Sequence, residues 1–186
     1  MAALALAAAL AACSEDGADP LPFDPSTENL FLRGKLTGLE LDISEAEVVA
    51  GEREYSPSRL CEVSAEFNAM VDGEVWAVEL ELENFDLESF GVGDYAIISN
   101  DVTPGPGQSS FELRMDGDAI HYERSAIAGS VDVRVYEDGT TVPGTPDVQE
   151  GGSMGAVFEV DFGAGETMEG SFHVDFSVAA VEDEEC

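Results

Sequence analysis

Between Val63 and Glu83, apolar and polar side chains alternate almost one for one on either side of an Asp72-Gly73 pair. An alternation of period two fits a strand with one dry face and excludes a helix, whose faces repeat at 3.6 residues. Asp-Gly suits a two-residue type I′ turn, because both central residues there need positive φ. Setting Val71 opposite Glu74 aligns Ala69 with Trp76, Phe67 with Val78, Ala65 with Leu80 and Val63 with Leu82 on one face. The same register puts Glu66 opposite Glu79, Glu62 opposite Glu83 and Ser64 beside Glu81 on the other. Like charges directly opposed destabilise a strand pair, so that face is expected to be solvated, screened by salt or bound to cations.

The pattern extends along the chain. A second hairpin around Asp116-Gly117 predicts Leu113 against Ile120 and Phe111 against Tyr122 inside, with Glu112 against His121 outside. Further strands are expected over 30–38, 46–50, 95–99, 127–136, 155–162 and 168–178, and irregular loops over 84–93, 102–109 and 143–153. Strands with one apolar face each must pack sheet on sheet or close on themselves. The reading is therefore one all-β domain, 30–186, an antiparallel β-sandwich of about eight to ten strands, with a closed or partly open barrel as the alternative. Binding is expected on the loops, held by a rigid scaffold.

Residues 1–12 are uncharged and apolar, too short to cross a bilayer but of the length of a signal-peptide hydrophobic region. The run ends in Leu10-Ala11-Ala12-Cys13, which resembles the lipobox of bacterial lipoproteins. That resemblance implies diacylglycerol on the Cys13 thiol, and Ser14 after it implies onward sorting to the outer membrane, on its periplasmic or surface face. No Lys or Arg precedes the apolar run, as signal peptides carry, so a start internal to a longer leader is one expectation. Residues 13–29, acidic and punctuated by Pro20, Pro22 and Pro25, read as an extended tether. With Cys13 lipidated, Cys61 and Cys186 are an even pair for which a disulfide is expected in an oxidising compartment, the alternative being two free thiols. Loosely, the domain is similar to the small uncharacterised β-sandwich domains of Gram-negative lipoproteins, through Gly129-Ser130-Val131-Asp132-Val133 and Gly170-Ser171-Phe172-His173-Val174-Asp175-Phe176. That likeness implies no defined chemistry.

Forty Asp and Glu against seven Lys and Arg give a formal charge of −33. Nucleic acid is excluded as a partner, since phosphate binding needs clustered Lys and Arg, and anionic headgroups are repelled, leaving acyl chains as the membrane contact. Gly151-Gly152-Ser153-Met154-Gly155 matches a nucleophile elbow, but that motif needs a strand-to-helix turn over a parallel sheet; without βαβ periodicity it reads as a loop entering a strand. His121 and His173 are the only imidazoles and lack ligand spacing, so both are expected as exposed, outward strand residues. Trp76 is assigned inward, so any carbohydrate stacking falls to Tyr55, Tyr95, Phe90 or Tyr136. Calcium is the strongest ligand hypothesis, because hard cations take carboxylate oxygens, but no D-x-[DN]-x-[DN]-G loop occurs and a diffuse acidic surface is preferred. No catalytic or cofactor-binding residue is assigned and no metal ligand can be named. The expectation is a monomeric, membrane-anchored, non-catalytic module of the cell envelope, structural or binding a protein or glycan. The rivals are a secreted hydrolase using loop carboxylates and a calcium-stabilised adhesion-type module.

Overall fold

The computed structural model describes residues 21–36, 39–44, 46–56, 59–84, 90–118, 121–141, 143, 148–176 and 178–181, and among these every long alternating run is a strand and no helix occurs. The strands are β1 (Asn29–Leu36), β2 (Leu39–Ile43), β3 (Ala46–Ser56), β4 (Arg59–Val71), β5 (Glu74–Glu83), β6 (Gly93–Ile98), β7 (Gln108–Ser109) and β8 (Glu112–Asp116). There follow β9 (His121–Ser125), β10 (Ala128–Glu137), β11 (Thr140–Thr141), β12 (Val148–Glu150), β13 (Ser153–Gly163), β14 (Glu166–Asp175) and β15 (Val178–Val181). They form a seven-stranded sheet, β2-β1-β14-β13-β10-β6-β7, and an eight-stranded sheet, β11-β12-β15-β3-β4-β5-β8-β9. The sheets pack face to face as a sandwich and do not close into a barrel. The segments outnumber the expected strands because short pieces such as β7 and β12 form inside spans read as loops. The pairing is antiparallel except where β15 joins β3 and β6 joins β7 in parallel.

The β4–β5 hairpin has the register that alternation dictates, from Val71 opposite Glu74 to Glu62 opposite Glu83. Asp72 and Gly73 take φ of 51° and 87°, which the type I′ turn requires. The second hairpin differs. Asp116 pairs with His121, Met115 with Tyr122, Arg114 with Glu123 and Glu112 with Ser125, so the pairing has moved four residues along the partner strand and the turn is longer. Two gains account for this: Met115 and Tyr122 are buried as a pair, and opposite charges face each other at Arg114–Glu123 and Asp116–His121. A shift by an even number keeps Phe111, Leu113 and Tyr122 inside and His121 outside as expected, while Ile120 lies outside the described residues.

The two inner faces supply one core. Phe67 of β4 meets Phe172 of β14 with ring centres 6.4 Å apart, Tyr122 of β9 meets Phe162 of β13 at 6.1 Å, and Phe111, just ahead of β8, lies 4.9 Å from Phe158 of β13. Trp76 is buried as assigned. Gly170 lets β1 and the core close in on β14: a Cβ there would collide with Phe158 Cζ and lie 2.7 Å from the Phe31 carbonyl oxygen and 2.8 Å from Leu32 Cδ2.

The chain ahead of β1, within the span read as tether, lies on the outer face of the seven-stranded sheet. Ser171 Oγ donates to the Pro22 carbonyl, and the Asp175 N–H donates to Glu28 Oε1 at 3.3 Å. The Phe23 ring stands over Gly155 and beside His173, with the Arg134 guanidinium 5.3 Å from its centre. This segment corrects one expectation: His173 points outward from β14 but is only 6% exposed, because Phe23 covers it.

Candidate functional site

The outer face of the eight-stranded sheet concentrates the chain's charge. Because β4 and β5 bury their odd and even positions respectively, Glu62 and Glu66 of β4 and Glu79, Glu81 and Glu83 of β5 all project from one surface. β8 adds Glu112 and Arg114, and β9 adds Glu123. Arg114 is the cation at the centre: Nη2 lies 2.8 Å from Glu112 Oε1 and 3.5 Å from Glu81 Oε2, Nη1 lies 3.4 Å from Glu79 Oε2, and Nε lies 4.0 Å from Glu123 Oε1. Neutral donors complete the surroundings. Ser110 Oγ donates to Glu83 Oε2 at 3.2 Å, and Ser125 Oγ donates to Glu112 Oε2 at 3.0 Å while accepting from Asn100 Nδ2 at 2.7 Å.

Burial pushes the Glu81 carboxyl up to about 7, with Glu112, Glu83 and Glu79 adding to the rise and Arg114 opposing it. Among the described side chains, the one Arg114 guanidinium faces four carboxylates, those of Glu79, Glu81, Glu112 and Glu123. On the other side of Glu81 from Arg114's partners, Glu62, Glu81 and Glu83 can bring one oxygen each to within 4.8 Å of one another. The chemistry of the surface is therefore attraction of positive charge, from a hard cation, an ammonium or a guanidinium.

Towards the β4–β5 turn the same face becomes apolar. Met70 and Val75 stand opposite each other and exposed, beside a shallow groove of about 550 Å³ lined by Ala46, Glu47, Asn68, Ala69, Met70 and Val75. Loops, not strand faces, are the surfaces that sequence reasoning favours for binding. The signal for this patch is nonetheless in the sequence, since the register that buries Trp76 also forces Met70 and Val75 outward.

The residues singled out by sequence are scattered. Cys13 and Cys186 lie outside the described residues and Cys61 lies in β4, so the disulfide pairing falls outside them too. Ser153 opens β13 and is buried between Glu137 of β10 and Asp175 of β14, preceded by Gly151 and Gly152 at φ of 74° and 90°; it joins strand to strand, not strand to helix. His121 is exposed on β9 and hydrogen-bonded to Asp116, whose carboxylate raises its pKa above the ordinary histidine value. His173 sits in the other sheet, so the two imidazoles are not brought together. Phe90 packs against Tyr95 and Tyr136 with ring centres 5.0 and 5.1 Å away, and Tyr95 is buried, with its hydroxyl donating to the Gly91 carbonyl at 3.0 Å. These aromatics pack on one another instead of forming a stacking platform; Tyr55 lies in β3. No family model, curated protein or solved structure matches the chain.

Proposed function

We propose that this protein is a non-catalytic binding module of a bacterial cell envelope, held at the outer membrane by a lipid on Cys13 and presenting its β-sandwich as a monomer. The observation that supports it best is the outer face of the eight-stranded sheet. Closely spaced glutamates and an exposed Met70–Val75 pair sit there on long paired strands, with a filled interior behind them. A surface that keeps both repulsive charge and apolar area at a cost to stability is explained by contact with something else. Strand backbones also hold these groups with less motion than a loop would, which lowers the ordering cost of association. The anchor rests on the Leu10-Ala11-Ala12-Cys13 motif, whose thiol is the acceptor in the resembling lipoproteins. Acyl chains supply the apolar insertion that the chain's charge denies to electrostatics.

The anchor is tested by feeding expressing cells a tagged fatty acid. Label on the chain that disappears in Cys13→Ala, together with release from the membrane fraction, is the expected result; unlabelled chain overturns it. The binding role is tested by saturable capture of a partner without turnover in a substrate screen. Turnover abolished by Glu81→Gln would replace this reading with that of a carboxylate hydrolase.

A further inference from the structure

We infer that the outer face of the eight-stranded sheet docks a basic, amphipathic segment of a partner polypeptide, with its apolar side chains on the Met70–Val75 groove and its Lys or Arg side chains over the glutamates of β4 and β5. This deepens the binding-module reading and rests on it. Two exposed apolar residues stand opposite each other at one end of the face: Met70 is 61% exposed and Val75 59%. Singly such residues are ordinary, but a facing pair beside a groove rimmed by polar groups marks a contact surface. Glu47 and Asn68 line the same groove.

From Val75 the outward positions of β5 run through Ala77 to Glu79 and Glu81, about 20 Å along the strand at ~3.3 Å per residue. Glu66 and Glu62 flank that path from β4. An occupant must therefore satisfy an apolar end and an anionic end together. A second copy of this chain would bring a charge of −33 against an equal charge, and a metal ion would answer the carboxylates but leave the groove bare. A polypeptide carrying both aliphatic and basic side chains answers both. Positive charge on the partner also opposes the smaller, like-charge part of the rise in the Glu81 carboxyl, which burial dominates and Glu112, Glu83 and Glu79 add to.

The test is fluorescence anisotropy of the purified full chain against a dye-labelled dodecapeptide of alternating Lys and Leu, and against one of alternating Lys and Ser with equal charge. Expected are one-to-one binding of the Lys–Leu peptide and at least about tenfold weaker binding of the Lys–Ser peptide. Met70→Ser with Val75→Ser should erase that difference, and Glu79→Gln with Glu81→Gln should weaken both peptides and flatten the salt dependence. These positions are exposed or half-buried, and circular dichroism and the melting temperature verify that each variant is folded. Equal affinity for the two peptides, or indifference to the Met70 and Val75 changes, reduces the effect to bulk charge attraction and overturns the assignment. Self-association of the chain through the patch in sedimentation overturns it in favour of a second copy. Capture of a partner that ignores the Met70 and Val75 changes overturns this site while the binding-module reading stands; a chain that captures nothing and stays unlabelled at Cys13 fails that reading itself.

Discussion

Arg114 is the residue on which the acidic face turns. Its guanidinium lies within 4.0 Å of carboxylate oxygens from four glutamates on three strands, and replacing it with Met keeps the aliphatic stem while leaving those charges uncompensated. Urea unfolding of Arg114→Met should show a loss of about 1–2 kcal/mol at low ionic strength, shrinking as NaCl screens the carboxylates. Glu81 carries the opposite sign. Its carboxyl ionises near 7 in the folded chain and at 4.5 when free, so the proton it holds favours the folded state. That stability is fully present below pH 4.5 and is lost as pH rises through about 7. Glu81→Gln should leave stability unchanged near pH 4 and raise it at pH 8 by about 1–2 kcal/mol, a figure reduced for solvent screening of a half-buried group. His121 works in the same direction, since Asp116 raises its pKa and the associated stability fades as pH rises through the folded value.

At the scale of elements, the segment ahead of β1 offers the sharpest test. Phe23 occupies the space left by the missing side chain of Gly155 and shields His173. Phe23→Ala should cost about 1–2 kcal/mol, less than a fully buried Phe because the ring is only partly covered. Diethyl pyrocarbonate, read by mass spectrometry, should modify only His121 in the parent chain but both histidines in the variant. The β4–β5 hairpin was legible because Asp72-Gly73 fixes a two-residue turn and every inward pair is apolar, so turn chemistry and burial agree on one register. The β8–β9 hairpin was legible in its faces but not its register. Asp116-Gly117 is an equally good turn on paper, and only the packing of Met115 on Tyr122 and the Arg114–Glu123 charge pairing select the longer loop. His173 misled for a related reason: alternation tells which face a side chain leaves by, not what lies across that face. The cover is Phe23, 150 positions earlier in the chain, in a Pro-rich stretch whose composition predicts no contact. Ser153 was read correctly as strand entry because the chain lacks the periodicity of a helix after it.

The whole molecule is a well-filled sandwich carrying far more negative charge than its few cations neutralise. Self-repulsion of this size should make the melting temperature climb with salt. If the Glu62, Glu81 and Glu83 carboxylates act as a screened surface, CaCl2 and NaCl at matched ionic strength should raise it equally; a larger effect of Ca²⁺ would mean coordination. All of this presupposes that alternate side chains divide cleanly between interior and exterior, and the methionines read that division directly. Met115, Met154 and Met168 are at most 1% exposed, whereas Met70 is 61% exposed on a strand whose inward residues Val63, Ala65, Phe67 and Ala69 are buried. Brief hydrogen peroxide treatment of the folded chain, followed by peptide mass mapping, should convert Met70 to the sulfoxide while those three stay reduced until the chain is unfolded. Oxidation of Met115, Met154 or Met168 at the rate of Met70 would contradict the sandwich and the docking face together.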